Sequence, residues 1–370
     1  MKIVFDARVH LNYFSGISRY IICLLEAYAT EFPADEITVL LNPAIQKDNN
    51  IYKTLNSFSN LVFKTIDAGH MGPKNYTKMG RIIKRLNPDV YHYPHLDAPV
   101  FTGNVPVVAT VHDSNSNANI KKFDDKFGLK SIYFKQALKT TLKKAKRVVF
   151  VSDSIKNEIL TRFKLADGPK YSRIYNGFEE DFNQISAEDK AESLAAIDLS
   201  RPYILFVGQI REHKNIYRVV EAFKRFSETN AEYQLIIVGH NYLNLALNEK
   251  NIQHIDKVSN KSLKALYSAC TAFLFPSLFE GFGFPILEAM SYGKPVITTN
   301  YGATAEVAGE HAILVNPESV TEITDAIVQS ILPDDKAEAR KNHTQKFSWK
   351  SNAQAIRKVY LEAIADNQKS

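Results

Sequence analysis

The chain has 370 residues, 45% of them hydrophobic and 23% charged, with only 15 glycines and 14 prolines. This length predicts two domains, each with its own core, and the composition excludes a disordered or low-complexity protein. The net charge of +6 resides in the first half, because residues 1–185 carry 26 Lys and Arg against 18 Asp and Glu.

The two cysteines and the first residues indicate the cellular compartment in which the protein is expected. Cys23 and Cys270 lie in separate apolar runs, which is typical of free buried thiols in a reducing environment. The opening residues MKIVFDARV form a strand pattern that contains Asp6 and lacks the apolar run of a signal peptide. Later apolar runs are too short to span a membrane. We therefore expect a cytoplasmic protein that is neither secreted nor transmembrane.

Short apolar runs rich in β-branched residues alternate with segments of helical period along the first half. Helices are expected over residues 18–30 and 130–146, among others. The predicted strands, in chain order, are MKIVFDA, EITVLLN, LVFKTID, DVYHYPH, VPVVATVHD and RVVFVSD, with RIYNGF following. This alternation predicts an α/β unit with a parallel sheet covered by helices on both faces.

The second half repeats this rhythm, with helical intervals such as residues 216–227 and 261–268. Its predicted strands are PYILFVG, YQLIIVG, IQHID, TAFLFPS, KPVITTN and AILVNP. The polar, alanine-rich residues 186–202 end in a proline and are typical of a linker. We therefore predict a first domain over 1–185, a second over 203–350, and a C-terminal helix over 351–370 that packs back on the first domain.

A basic segment lies between Lys121 and Arg147. Lys135, Lys139, Lys143 and Arg147 recur every four residues, so on a helix they would share one side. Two interpretations stay open: a solvated helix face, or a patch that attracts anionic lipid head groups or a phosphorylated acceptor. The chain has no finger spacing, RNA-binding strand motif or helix-turn-helix, so we expect no nucleic-acid partner.

The run FPSLFEGFGFPILEAMSYGKPVITTN, residues 275–300, combines a glycine-rich turn with two glutamates. Pro285 suits the first position of a helix, whose start presents unpaired N–H groups and the positive end of the dipole to an anion such as phosphate. Gly281 and Gly283 leave room for a ligand. Because carboxylates repel phosphate, we assign Glu280 and Glu288 to hydroxyl groups on either side of a diphosphate. A structural turn with capping or solvated glutamates is the alternative.

A second glycine turn follows the strand PYILFVG. Gly208 ends that strand, and Arg211 and Lys214 precede the next helix. Cations at such a position can neutralise a diphosphate, although either side chain could instead be a solvated loop charge.

These motifs together resemble glycosyltransferase family 4. The resemblance is carried by EGFGFPILEAMSYGKPVITT, by VGQIREHKN about 70 residues before it, and by YGATAEVAGEHAILVNP after it. It extends to the first half through FSGISRYIICLL, TVHDS, VFVSDSIKNEI and RIYNGF. It covers nearly the whole chain and implies the GT-B fold, in which two Rossmann-like, doubly wound domains face each other across a cleft. The first domain would bind the acceptor and the second the nucleotide sugar.

The resemblance implies roles for residues of the second domain. Glu288 matches the glutamate that binds ribose hydroxyls, Glu280 the one beside the transferred sugar, and Lys214 the lysine on the diphosphate. The usual arginine partner would stand at His213 or Gln209, so Arg211 would have to reach in from the same loop. The remaining donor-binding residues implied are Gly208, Phe282, Gly283, Phe284 and Glu306.

In the first domain the resemblance implies roles for three residues. Gly16 matches the glycine of a loop that approaches the diphosphate. His112 follows a strand and would lie near the reacting sugar, as a catalytic residue. Asp113 beside it would either orient the ring or bind the acceptor.

The implied reaction is transfer of a hexose from a nucleoside diphosphate sugar to a saccharide or lipid-linked acceptor, with retention of configuration, in cell-surface polysaccharide synthesis. The type of loop favours a mannose donor. No metal or cofactor is expected, since cations and helix dipoles serve the diphosphate and no Asp-x-Asp motif occurs. The acceptor would contact loops 67–80 and 114–130, and the protein would lie at the inner face of an anionic membrane. A sugar-nucleotide epimerase, a phosphorylase and a non-catalytic nucleotide-sugar-binding homologue stay open.

Overall fold

The computed structural model describes residues 1–10, 15–70, 73–114, 129–195, 197 and 199–369. The chain forms two compact units. One contains Met1–Gly177 together with Phe347–Ser370, and the other contains Phe178–Lys346. The chain therefore leaves the first unit once and returns to it at its end.

The first unit is built on a seven-stranded sheet in which each pair of neighbouring strands is parallel. Its strands are β1 (Lys2–Asp6), β2 (Glu36–Leu41), β3 (Leu61–Thr65), β4 (Val90–Tyr93), β5 (Val107–Val111), β6 (Arg147–Phe150) and β7 (Tyr171–Arg173). Their order across the sheet is β3-β2-β1-β4-β5-β6-β7. The central strands β4, β5 and β6 are buried along their whole length, as expected when helices cover both faces.

The described helices of this unit, apart from the last, lie between these strands along the chain. They are α1 (Gly16–Glu31), α2 (Asn50–Leu55), α3 (Pro73–Leu86), α4 (Leu129–Lys144) and α5 (Asp153–Phe163). Helix α1 begins at an N-cap, Ser15, whose side chain accepts a hydrogen bond from the Ser18 N–H.

The second unit holds a six-stranded parallel sheet in the order β10-β9-β8-β11-β12-β13. The strands are β8 (Tyr203–Val207), β9 (Gln234–Val238), β10 (Ile252–Ile255), β11 (Ala272–Phe275), β12 (Val296–Thr299) and β13 (Ile313–Val315). Its described α-helices are α6 (Ala187–Leu194), α7 (Ile216–Ser227), α8 (Asn260–Ala269), α9 (Phe284–Ser291), α10 (Gly302–Ala308), α11 (Val320–Ser330) and α12 (Ala337–Thr344). Both sheets thus have the doubly wound arrangement of a Rossmann-like fold.

The last helix, α13 (Trp349–Gln368), belongs to the first unit and packs against α1 and against β4 and β5. Gly177 admits the start of this helix, because a Cβ built there would stand 2.3 Å from the backbone nitrogen of Trp349. Asn352 then donates a 2.5 Å hydrogen bond to the Tyr175 carbonyl. The start of α13 is therefore held against the segment Tyr175–Gly177 of the first unit.

Three features differ from the sequence prediction. Arg147 does not extend the basic helix, which ends at Lys144; it begins β6, where its guanidinium pairs with Glu362 and Asp366 of α13. The strand expected at RIYNGF lies earlier, at Tyr171–Arg173. The change of unit falls at Gly177–Phe178, before the expected linker, and α6 within that segment packs against α8 of the second unit.

Among the described helices, none has enough consecutive apolar residues to cross a bilayer.

Candidate active site

In the second sheet the order of strands reverses between β8 and β11. Open parallel sheets bind ligands at the carboxyl ends of their strands, in the crevice where such a reversal occurs. The residues that follow β8 and β11 are those of the two predicted glycine turns, 208–215 and 276–283. The topology therefore brings both turns to one place.

Asn215 fastens the turn after β8 to the turn after β11. It is buried and has left-handed backbone angles (φ 61°, ψ 30°) between a short 3₁₀ turn, Glu212–Lys214, and α7. Its amide donates hydrogen bonds to the carbonyls of Pro276, at 3.1 Å, and Pro317, at 2.6 Å. Asparagine tolerates this backbone conformation better than most residues, so one side chain fixes both the turn and its neighbours.

Lys214, directly before Asn215, forms an ion pair with Glu280. Its Nζ lies 2.5 Å from a carboxylate oxygen of Glu280, and both side chains are about 15% exposed. The same ammonium lies 4.8 Å from the centroid of the Phe275 ring. A backbone hydrogen bond of 2.8 Å from the Leu278 N–H to the His213 carbonyl holds the two turns in register. The predicted cation and the predicted sugar-side carboxylate are thus in direct contact.

Gly283 starts α9 with a backbone conformation that few other residues adopt (φ 112°, ψ 48°), and Pro285 occupies the first turn. Glu288 lies one turn into the helix and is only 6% exposed. A short helix that begins at this point directs its dipole toward the crevice. The arrangement suits an anion at the helix start and a hydroxyl group against Glu288.

The positions where the resemblance expects an arginine hold uncharged side chains at neutral pH. Burial lowers the pKa of His213 to about 4, although the nearby Glu280 carboxylate acts in the opposite direction. Arg211 lies with its guanidinium carbon 3.7 Å from the centroid of the Tyr242 ring, and its Nε donates to the Gln209 side chain at 3.1 Å. Arg211 is therefore held on Tyr242 in this structure.

The other predicted donor-binding residues of this unit lie on the same edge or next to it. Gly208 follows β8, and its carbonyl is approached so closely by Gly239 that a Cβ at Gly239 would stand 2.1 Å from the oxygen. Phe282 and Phe284 flank Gly283 with their rings 5.1 Å apart, edge to face. Glu306 is half-buried in α10, the helix that follows β12.

The first unit holds the remaining predicted residues. His112 directly follows β5, and its ring lies edge-on to Tyr20, 4.6 Å between centroids. The residue is half-buried, but its Nε2 is covered and has no hydrogen-bond partner among the described residues. Burial lowers the pKa of His112 to about 3, with a smaller contribution from His95, so the ring is neutral at pH 7.

Gly16 lies at the start of α1, and Asp113 lies two residues after the end of β5. Gly16 opens α1, and a Cβ built on it meets nothing within 4 Å, so packing within the described residues does not require glycine there. Asp113 follows His112 and is half-buried. Of the predicted acceptor loops, residues 71–72 and 115–128 lie outside the described residues.

Sequence reasoning missed Asn215 and Tyr242. Asn215 stands directly after the predicted lysine, and the signal that could have revealed it was an asparagine between a turn and a helix, a usual place for left-handed backbone. Tyr242 lies beyond β9, and its contact with Arg211 depends on tertiary structure alone.

Two family profiles together match most of the chain. The profile described as Glycosyltransferase Family 4 matches residues 14–182, and the one described as Glycosyl transferases group 1 matches residues 188–347. The O-antigen chain mannosyltransferase RfbU of Salmonella typhimurium is 30% identical over 260 residues, which cover 67% of each protein. The chain belongs to glycosyltransferase family 4.

Other relatives of this family 4 glycosyltransferase are also curated mannosyltransferases. The O-antigen chain mannosyltransferase B of Escherichia coli is 29% identical over 235 residues, 59% of this chain. The match spans 61% of the length of that relative.

Solved structures show the fold of this glycosyltransferase. Sucrose-phosphate synthase from Thermosynechococcus elongatus aligns with a TM-score of 0.76 at 18% identity and 99% coverage of both chains. HepE from Anabaena, in complex with UDP and glucose, aligns with a TM-score of 0.74 at 17% identity over 97% of this chain and 99% of its own. The predicted family and the predicted GT-B fold of two Rossmann-like domains are confirmed.

Proposed function

We propose that the chain transfers a hexose, with mannose preferred, from a nucleoside diphosphate sugar to a hydroxyl group of a saccharide or lipid-linked acceptor, with retention of configuration, in cell-surface polysaccharide synthesis. The observation that carries this proposal is the ion pair of Lys214 and Glu280 beside the start of α9, at the strand-order reversal of the second sheet. The curated O-antigen mannosyltransferases among the relatives support the choice of sugar and of product.

In this proposal the residues of the second unit divide the donor between them. Lys214 and the start of α9 neutralise the charge that gathers on the leaving diphosphate. Glu288 accepts hydrogen bonds from the ribose hydroxyls, and Glu280 from the transferred sugar. Gly208, Phe282, Gly283 and Phe284 line the donor, and Glu306 supports the loop. Arg211 would reach the diphosphate only by leaving the Tyr242 ring.

The first unit has its own tasks in the proposal. His112, neutral and with a free covered nitrogen among the described residues, would hydrogen-bond to a sugar hydroxyl. Gly16 would let a diphosphate approach α1, and Asp113 would orient the ring or bind the acceptor.

We also propose that transfer needs no metal ion. Among the described residues no group of three or more His, Cys, Asp or Glu side chains is placed to hold one. A lysine and a helix start can provide the positive charge that a metal ion would otherwise bring to a diphosphate. Excess EDTA should therefore leave the transfer rate unchanged. A transfer rate that EDTA abolishes and that added Mg²⁺ or Mn²⁺ restores would contradict this part.

The experiment that tests the function is a screen of nucleotide sugars by thermal unfolding, followed by product analysis. GDP-mannose, UDP-glucose, UDP-galactose and UDP-N-acetylglucosamine are compared at about 100 times their dissociation constants, where a bound donor adds about 2.7 kcal/mol of stability. We expect one of them, GDP-mannose first, to raise the Tm by about 5 to 10 °C.

The same screen separates the alternatives. Conversion of a nucleotide sugar to its epimer without acceptor would show an epimerase, and release of a sugar phosphate with inorganic phosphate would show a phosphorylase. Binding without any turnover across an acceptor panel would indicate a non-catalytic homologue. A screen in which no nucleotide sugar changes the Tm would contradict the proposal.

We propose further that the basic helices α3 and α4 rest on the inner face of an anionic membrane. The loop over residues 96–103 contacts both helices: Tyr133 of α4 donates to Asp97, and a Cβ on Gly80 of α3 would stand 2.3 Å from the Phe101 carbonyl. Phe101 and Ile132 are 58% and 64% exposed. The exposed cations of the two helices are Lys78, Arg81, Lys84, Arg85, Lys135, Lys139, Lys143 and Lys144. Cations together with exposed apolar side chains on adjoining elements favour an anionic lipid surface.

Binding to vesicles tests this surface. The protein should sediment with vesicles that contain phosphatidylglycerol and remain in solution with phosphatidylcholine alone. Arg81→Glu with Lys135→Glu should abolish sedimentation, since each cation near an anionic surface contributes about 1 kcal/mol. The matched control is Lys64→Glu with Lys358→Glu, which changes the net charge equally at exposed positions on β3 and α13. If both double variants lost sedimentation to the same extent, binding would depend on net charge alone, and the proposed surface on α3 and α4 would be wrong.

A further inference from the structure

The first sheet has a strand-order reversal of its own. Its order β3-β2-β1-β4-β5-β6-β7 changes direction between β1 and β4, as the second sheet does between β8 and β11. The carboxyl ends of β1 and β4 are therefore the place in the first unit where a ligand is expected. His95 follows the end of β4 by two residues, and His112 follows the neighbouring β5 directly.

The guanidinium at this place is already fully engaged. Arg8, two residues beyond the end of β1, is completely buried and binds both carboxylate oxygens of Asp6, at 2.8 and 2.6 Å. Its remaining N–H groups donate to the carbonyls of Ala68 and Gly69 and to the side chain of Asn75. Arg8 thus fixes the segment that leads to His70 rather than offering charge to a ligand.

His70 is held by a second contact as well, because the Tyr93 hydroxyl donates to its carbonyl. Its ring lies 6.4 Å from the ring of His95, nearly perpendicular to it. His70, His95 and His112 therefore form a row along the carboxyl edge of the first sheet. Within this row His70 lowers the pKa of His95, and His95 lowers the pKa of His112. This row was not identified from the sequence, where only His112 stood out.

Two ring nitrogens of this row lack partners. The Nδ1 of His95 and the Nε2 of His112 are covered, yet neither has a hydrogen-bond partner within the described ranges. Native proteins rarely leave buried polar atoms unsatisfied, and those that occur call for an explanation such as a bound ligand or water. Burial lowers the pKa of His95 to about 4, and burial also lowers the pKa of His70. The rings of His95 and His112 are therefore neutral at pH 7, and burial disfavours a charge on His70 as well. A neutral imidazole has one donor and one acceptor nitrogen.

We propose that His95, together with His70, binds the acceptor as an uncharged sugar ring and sets the preference for hydroxyl groups over phosphate at this place. This rests on the proposed glycosyltransferase function. A hydroxyl group both donates and accepts, which matches a neutral imidazole, whereas a phosphate only accepts and calls for cations. Among the described residues at these strand ends, the guanidinium of Arg8 is committed to Asp6 and offers no charge to a phosphate. The acceptor group that suits the two imidazoles is a neutral hexoside.

The test uses the full-length protein with the donor identified by the screen and compares methyl α-D-mannopyranoside and methyl α-D-glucopyranoside with mannose 6-phosphate and glucose 6-phosphate as acceptors. His95→Ala should raise the KM for the methyl hexoside about tenfold, the effect of losing one hydrogen bond to a hydroxyl. His95→Asn keeps a donor and an acceptor near the position of Nδ1 and should recover most of that loss. The rise in Tm on donor binding should stay at the wild-type level in both variants.

Several outcomes would overturn the proposal. The first is an unchanged KM in His95→Ala, and the second is the loss of the donor-induced rise in Tm in that variant, which would mean general damage to the protein. A wild-type enzyme that uses only the sugar phosphates, or that hydrolyses its donor yet uses none of the four acceptors, would also contradict it. In each case the wild-type protein still binds its donor, whereas failure of the glycosyltransferase proposal itself would appear as the absence of donor binding to the wild-type protein.

Discussion

Replacing Lys214 with alanine is expected to lower the transfer rate by about two to three orders of magnitude, the usual cost of losing one group that stabilises developing charge. The reason is its position, beside the start of α9 and 14% exposed, where in our proposal the cation would meet a diphosphate with little screening by water. The nucleoside diphosphate alone should also bind more weakly. Turnover with the donor sugar and titration with GDP or UDP measure the two effects.

Two variants serve as controls for this prediction. Lys224→Ala removes another paired lysine, one that is 50% exposed on α7, and should leave both measurements unchanged. Lys214→Arg keeps the charge and should recover part of the rate. Near-normal turnover of Lys214→Ala would show that the diphosphate lies elsewhere.

Replacing Glu280 with glutamine is expected to reduce transfer strongly while nucleoside diphosphate binding stays the same or becomes tighter. The Glu280 carboxylate, 2.5 Å from Lys214, also neutralises the ammonium, so removing its charge frees the lysine for the anion. The transfer rate falls because the hydroxyl groups of the donor sugar lose a charged hydrogen-bond acceptor and because Lys214 loses its fixed position. Comparing kcat with the dissociation constant of GDP or UDP measures this separation.

Glu288→Gln provides the contrasting variant. Glu288 is buried on α9, and we place it against the ribose, so its replacement should weaken binding of every nucleoside diphosphate by about tenfold or more, as expected for a hydrogen bond to a charged group. If Glu280→Gln weakened nucleotide binding as much as Glu288→Gln does, the assignment of the two glutamates to different parts of the donor would be wrong.

The sequence predicted those features of the site that depend on local chemistry. Parallel strands, the glycine turns after two of them and the helix that starts near Pro285 follow from hydrophobic pattern and backbone preference, and the structure contains them at those positions. The resemblance selected Lys214, Glu280 and Glu288, and the topology of the second sheet brings the two turns together. Their roles with substrate stay predictions.

The features that the sequence did not predict depend on residues far apart in the chain. A four-residue spacing of cations placed Arg147 on a helix, but the spacing cannot show that the helix ends at Lys144 or that acids of α13 cover the guanidinium. Similarly, nothing local to His95 shows that its ring faces His70. The hydrogen bonds of the Asn215 amide reach the carbonyls of Pro276 and Pro317, which are 61 and 102 residues away in the chain.

The return of the chain to the first unit has a consequence for how this protein is made. Ala353, Ile356 and Tyr360 of α13 are fully or almost fully buried against that unit, and the Tyr360 hydroxyl lies 2.5 Å from Nδ1 of the buried His92. During synthesis the amino-terminal unit therefore keeps an exposed apolar surface until residues 349–368 have left the ribosome. A stop codon shortly before Trp349 would leave the unit that is synthesised first without the helix that covers this surface.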